Sequence, residues 1–522
     1  MLFIKRPQLA WAISLFMFLQ ASFLLEANAS VINVRLSTDP LGFDWNRVAS
    51  DSLISANIME GLVQLNADMS IRPAVATSWS LSDDQTTYVF EIADSARWSD
   101  GVSLTAQHFL DSWQRLLNPE TASSYAAMLF DVVGAKEYYS SPLKKRDFSK
   151  VGIKSIGSKR IEITLKHPSA SFLYRLAYRA LAPIRKDLIE KSANYWADPT
   201  KIIVNGPYQV STYEPKKRVI LRRNPLFFGA APAIDEIQLW IIGDNKESVR
   251  KFDAGELDFV PKINLEDANL SKRKQDIQMS SSYLLHFLAF NHKQYPFNLA
   301  LVRRAFSMAI DRKKILANFG QSKILATSLI PSELMPSHEV EGLPFDPSRA
   351  KQLLKEAGIV TTKGLAFDLL GDKSAENDKL MVAIQEDLHR NLGIKFDVHL
   401  SDFKSFRSAI DLGVGSIHSR MWSPDDPSID AFLAYFVSSS GGHKTGWKSE
   451  RYDSLFEKIE ATAQSESRKV LQKNALEILL REECPIVPLF FSKNIYLIDS
   501  KIKNLKMRPI GSPYFKDCAL SP

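Results

Sequence analysis

From Leu365 to Ser401 the chain reads LAFDLLG, then an amphipathic run over Asn377–Asn391, then GIKFDVHLS. Two apolar strand-like stretches joined by a helix-length connection cannot make a hairpin. They demand a parallel crossover, with the helix laid on the sheet. The same mixture of periods recurs elsewhere. SVINVRLS (Ser30–Ser37) and TTYVFEIAD (Thr86–Asp94) alternate apolar and polar residues, as half-buried strands do. Thr105 can cap a helix carrying Phe109, Trp113, Leu116 and Leu117 on one face, and Asn118-Pro119 ends it. Glu214-Pro215 starts a hairpin whose return strand is Arg218–Arg222, and DEIQLWII (Asp235–Ile242) adds a strand. Farther on, Val302, Ala305, Phe306, Ala309 and Ile310 form a helical stripe, with Asp311 placed to cap the next helix. The class is α/β. A chain of 522 residues is too long for one ordinary core, so at least two lobes are expected.

The first residues resemble an export signal. Lys5 and Arg6 precede an apolar stretch from Leu9 to Leu25, and Ala27-Asn28-Ala29 supplies a small–x–small cleavage pattern. A membrane anchor is the competing reading, because the run is near the lower length limit for a span. The expected leader is 1–29. Its removal takes away Lys5, Arg6 and Glu26, and lowers the formal charge from +7 to +6. No cysteine lies near the cleavage point, so no lipid attachment is expected. The remaining positive charge is scattered, without the clustered Lys/Arg and interleaved aromatics of a nucleic-acid surface. Cys484 and Cys518 could pair in an exported protein, although Cys484 within CPIVPLFF reads as a buried small hydrophobe.

Catalytic signatures are missing. There is no HExxH or GxSxG, and the 9 histidines show no paired metal spacing. Gly441–Gly446 has P-loop spacing, but Trp447 stands where lysine is required. No cofactor and no metal are expected. An exported α/β chain of two lobes without such motifs suggests a binder that closes on a ligand.

RMWSPDDPSID (Arg420–Asp430) is the stretch most suited to a ligand. It sets Asp425 and Asp426 between two prolines just after Trp422. Both acids could equally form an Asx turn or a helix N-cap before SIDAFLAYF.

Several segments, in order, resemble the oligopeptide- and dipeptide-binding proteins of bacterial ABC importers, solute-binding family 5. They are Glu60-Gly61-Leu62, Pro73–Ala76 with Trp79, Trp98-Ser99-Asp100-Gly101 with Phe109, VNGPYQV, PFNLALVRRAFSMAIDRKKI, Trp422 with Asp425, and CPIVPLFF. Val102 in GVSLTA, where the family has proline, is a small departure. The resemblance implies a two-lobed periplasmic-binding-protein fold with an extra inserted domain. Domain I would be 30–59, 184–283 and 491–522, domain II 60–183, and domain III 284–490. It also implies a monomer in the periplasm that binds a short peptide and serves inner-membrane permease subunits.

Residue by residue, the resemblance implies that Asp425 takes the peptide's α-ammonium. Met421, Trp422 and Ser423 would pair with the ligand backbone, opposite Arg47, Val48 and Ala49. Tyr125 would touch ligand, or else be a half-buried core tyrosine. Phe403 would be a pocket wall or core. Arg420 is a further candidate contact, and Asp426 is the expected cap. Departures fall at the carboxylate end. Ser419 stands where some members have arginine, and Asn377 where there is a histidine. Other ligands of the family, namely a murein peptide, nickel chelate, haem or opine-like molecule, stay open. So do a chaperone-like role and an exported hydrolase using Asp425 and Asp426.

Overall fold

The computed structural model describes residues 29–47, 52–192, 194–335, 340–361, 365–440, 443–463 and 465–521. Its framework is an 11-stranded mixed sheet. The spatial order is Lys395–Ser401, Ala366–Asp372, Ile417–Trp422, Ile277–Phe290, Ile486–Ile498, Phe259–Val260, Val31–Leu36, Glu236–Ile241, Arg218–Arg223 and Tyr208–Glu214. Lys323–Leu325 pairs with Ile486–Ile498 off this path.

The expected crossover is present. Ala366–Asp372 and Lys395–Ser401 are parallel in register, joined by the 18-residue helix Ala375–Leu392. That helix begins where Ser374 accepts the Asn377 N–H and stops at Gly393, whose φ of 73° is left-handed backbone that glycine adopts without a Cβ clash. The hairpin at Glu214-Pro215 is also present. Val31–Leu36 runs parallel to Glu236–Ile241, a pairing of segments about two hundred residues apart.

Two strands bind the halves of this sheet. Ile277–Phe290 has 14 residues and Ile486–Ile498 has 13, well above the usual strand length. At one end, Ile498 and Leu497 face Phe259 and Val260, which leads to the strand Val31–Leu36. At the other end, Leu285–Phe290 faces Trp422–Ile417. Between these ends the ladder shifts register between Ser281 and Leu285, where a bulge bends the pair.

A separate antiparallel sheet, Ala76–Leu81, Thr87–Ile92, Arg160–Thr164 and Ile153–Ile156, is built from the chain between the first two strands of the main sheet. The helix Ala106–Leu117 belongs with it, and Phe109, Trp113, Leu116 and Leu117 are fully buried, as their spacing requires. Its core is continuous with that of the first part of the main sheet, whereas Phe290, Phe297, Phe306, Phe367 and Phe396 anchor a different cluster. The helix Ala300–Ala309 carries the expected stripe and also buries Arg303, 1% exposed. Its guanidinium donates to the carbonyls of Glu483 and Phe297, each at 2.8 Å, and to the Glu483 carboxylate at 3.1 Å, so the buried charge is both solvated by backbone and paired.

Cys484 and Cys518 are both buried and unbridged. No helix among the described residues is long and apolar enough to cross a membrane.

Phe306 meets Phe297 edge-on at 5.1 Å and Phe396 at 6.0 Å. Phe306→Ala is expected to cost about 3–5 kcal/mol, read as a lower urea midpoint in circular dichroism of the folded chain.

Candidate ligand-binding cleft

The strand Ile417–Trp422 fixes the site by its alternation. Ser419 and Met421 point to one face, Arg420 and Trp422 to the other. On the first face, Ser419 Oγ donates to Asn377 Oδ1 at 2.9 Å, and Asn377 Nδ2 donates to Asp372 Oδ1 at 2.6 Å. The two positions that depart from the family pattern thus bond to each other as a neutral pair. Met421, 47% exposed, lies beside them on a cavity of about 630 Å³. On the second face, Arg420 is buried, donates to the His443 carbonyl and lies over the Phe287 ring at 5.9 Å. Trp422 stacks on Tyr435 at 4.3 Å and meets Phe432 edge-on at 5.7 Å, so its indole is held rigidly.

After the strand the chain turns through Ser423 and Pro424 into the paired acids. Ser423 is half-buried, and its hydroxyl turns back toward the Pro424 carbonyl at 3.5 Å. Asp426 is 6% exposed and accepts the Ser428 N–H at 2.9 Å. The cap of the helix Ile429–Ala434 is Ser428, which accepts the Ala431 N–H. The expectation that Asp426 caps this helix is corrected. Aspartate closes the Asx turn, and the serine two residues later takes the cap.

Asp425 is open to water at its surface yet crowded by protein on several sides. Burial raises its pKa, and the charge of Arg179 works against the rise. These two observations agree for a group on the wall of a concavity. Arg179 Nη2 donates to the Tyr125 hydroxyl at 3.2 Å and its guanidinium lies over the Tyr178 ring at 4.5 Å. Tyr125 and Tyr178 are 5.2 Å apart, and burial above all raises the Tyr178 phenol, with Asp425 adding to the rise. Tyr125 is therefore brought to the neighbourhood of Asp425 through Arg179. Asp425 and Arg179 also share the wall of a smaller cavity, of about 90 Å³, with Tyr178 and Arg508.

Behind Trp422 lies a third cavity of about 330 Å³, with walls from both sheets' halves of the chain. Asp131, His167 and Arg175 come from one side, and Trp422, Asp425, Asp426 and Glu460 from the other. One ligand atom each from Asp131, His167 and Glu460 lies within 4.8 Å of the others, a grouping no sequence spacing announces. Arg175 already holds Asp131 at 2.7 Å, a cation that disfavours a metal ion there.

The cavity at Met421 is electrically different. Lys323 Nζ lies 2.7 Å from Glu376 Oε1 and donates to Ser492 Oγ at 3.0 Å. His286 lies 2.8 Å from the same hydroxyl, and burial, helped by Lys323, pushes its pKa well down, so the imidazole is neutral.

The remaining sequence candidates lie apart. Arg47 is exposed, with its N–H on the Asp44 carbonyl at 3.1 Å, and Val48 and Ala49 fall outside the described residues. Phe403 is 67% exposed at the start of the helix Phe403–Asp411, so it is not core, and it lines none of these three cavities. Arg179, Glu460, Lys323 and Glu376 carry no motif and became candidates through the fold alone.

An acid and an aromatic platform thus share the wall of a cavity between distant parts of an α/β chain. The chain belongs to the bacterial extracellular solute-binding proteins, family 5, whose middle-region model matches residues 70–444. It is similar to the dipeptide-binding protein DppE of Bacillus subtilis, 28% identical over 506 residues, covering 92% of this chain and 90% of that one. It is also similar to the periplasmic oligopeptide-binding protein OppA of Salmonella typhimurium, 28% identical over 462 residues, with 86% and 84% covered. Among solved structures, a periplasmic oligopeptide-binding protein of Borrelia burgdorferi superposes with a TM-score of 0.79 at 26% identity, covering 94% of this chain and all of that one. The fold is that of the multi-domain periplasmic solute-binding proteins.

Asp426 gives a test of the cleft's electrostatics. Burial, the largest cause, raises its pKa from 3.8 to about 6. The folded state then holds the proton more tightly than the unfolded state. Below about pH 4 the carboxyl is neutral in both states and costs nothing, and the cost is complete above about pH 6. Asp426→Asn, which keeps an acceptor for Ser428, should match the parent near pH 3.5 and exceed it by at most about 3 kcal/mol at pH 7, measured by denaturant melts at the two pH values.

Proposed function

We propose that this protein captures short peptides in the cleft beside Trp422 and delivers them to the permease subunits of an ABC importer, without a chemical step. The observation that carries this reading is Asp425. It sits where two cavities meet, and no lysine, arginine or histidine among the described residues lies within ion-pair distance of it. An ammonium leaving water needs a counter-charge, and this carboxylate stands on a segment stiffened by two prolines beside a rigid tryptophan. The printed names of the relatives, dipeptide-binding and oligopeptide-binding, support peptides as the ligand class.

The rest of the reading rests on the N-terminal sequence pattern and on membership of the family. Residues 1–29 act as a cleaved leader, so the mature chain works in the periplasm as a monomer. The domains are 30–59 with 184–283 and 491–522, then 60–183, then 284–490. Met421, Trp422 and Ser423 offer the ligand backbone a strand edge. Tyr125 supports the ammonium end through Arg179, and Arg420 holds the His443 loop behind Trp422.

The test is calorimetry with tri-alanine. The parent should bind it, and N-acetylation of the peptide should abolish most of the affinity. Asp425→Ala should weaken binding by about 2 kcal/mol, roughly thirtyfold, with the fold intact by circular dichroism. Unchanged affinity in that variant would remove Asp425 from the site. Intact recovery of a peptide mixture after long incubation checks the absence of chemistry.

A further inference from the structure

We propose that the cavity behind Trp422 is a subsite for a second positive charge, so that this protein prefers peptides whose first residue has a basic side chain. The inference rests on peptide capture at Asp425 and deepens it.

Charge bookkeeping within the cavity is the first argument. Five carboxylates line it, those of Asp131, Asp425, Asp426, Asp430 and Glu460, against two guanidiniums. Both guanidiniums are committed. Arg175 holds Asp131 at 2.7 Å, and Arg468 holds Asp430 at 2.5 Å, with Gln472 on the other oxygen of Asp430 at 2.8 Å. Asp425, Asp426 and Glu460 are left with no ion pair to a lysine or arginine among the described residues. His167 approaches Glu460 and Asp131, yet even a protonated imidazole would offset one charge of three. At the cavity beside Met421, on the other face of the same strand, Lys323 answers Glu376 at 2.7 Å and Lys379 answers Glu266 at 3.7 Å, so two of its three carboxylates are paired.

Placement is the second argument. Asp426 is nine-tenths buried on this wall, where an ionised carboxylate lacking a counter-charge costs stability. Burial raises the pKa of Asp426 and Glu460, and the Asp131 charge adds to the rise at Glu460. An incoming cation would relieve all three acids at once. Walls of Trp422, Phe456, Met128 and Ala431 suit an alkyl stem behind a charged head, as in lysine or arginine. Asp425 lines both this cavity and the one at Arg179, so a ligand α-ammonium at Asp425 leaves its first side chain at the mouth of the acidic cavity. A bare divalent ion fits less well, since the Arg175 guanidinium already lies against Asp131.

The experiment is calorimetry on the full chain at pH 7 with Lys-Ala-Ala, Ala-Ala-Ala and Glu-Ala-Ala. Lys-Ala-Ala should bind at least about tenfold more tightly than Ala-Ala-Ala, and Glu-Ala-Ala more weakly than either. Glu460→Gln, at a half-exposed position, and Asp426→Asn should each bring the Lys/Ala affinity ratio toward one, with thermal melts confirming folded protein. Equal affinities of the parent for the three peptides would overturn the subsite and leave peptide capture standing. Failure of all three to bind would remove peptide capture, and the subsite with it. Binding of Zn²⁺ alone, lost in His167→Ala and without discrimination among peptides, would overturn the organic cation in favour of a metal.

Discussion

The hydrogen-bonded pair Ile277–Phe290 and Ile486–Ile498 is the constraint on which the remaining architecture depends. One end is stitched to Phe259–Val260, the other to Ile417–Trp422, so a single ladder carries both halves of the main sheet. That ladder delivers Trp422 to the edge of the cleft. The register shift between Ser281 and Leu285 interrupts pairing midway. The two strands are thus bent there while they stay paired at both ends.

The cleft built on this frame is polarised. Near Met421, Lys323 pairs with Glu376 and Lys379 with Glu266, beside a neutral His286. Near Trp422 and Asp425, carboxylates outnumber guanidiniums. Burial keeps Asp425, Asp426 and Glu460 from ionising as readily as free acids do. Buried carboxylates without an ion pair cost stability, in contrast to the paired acids near Met421.

Local order was legible and distant pairing was not. The crossover around Ala375–Leu392, the hairpin at Glu214-Pro215 and the stripe through Phe306 follow from periodicity and turn chemistry within a few residues. No such pattern could reveal that Val31–Leu36 lies beside Glu236–Ile241, because a parallel register is set by the packing of the whole sheet. The same division holds in the site. Asp425 stood out between two prolines just after Trp422. Arg179 and Glu460 are ordinary helix or turn residues until the chain brings them to that segment. The cap was misassigned because aspartate and serine both accept backbone N–H groups, and which of them starts the helix depends on the turn geometry at Pro427. Arg303 looks like a surface residue in PFNLALVRRAF, yet it is buried on two backbone carbonyls and the Glu483 carboxylate.

The two unjoined thiols have a consequence for how the chain matures. Burial pushes both Cys484 and Cys518 up to about 12, so neither is a nucleophile in the folded protein. Folding then needs no oxidising catalyst, and no covalent staple holds the C-terminal stretch to the rest. An alkylating reagent would reach either sulfur only while the chain is open, which makes the pair a built-in clock for unfolding.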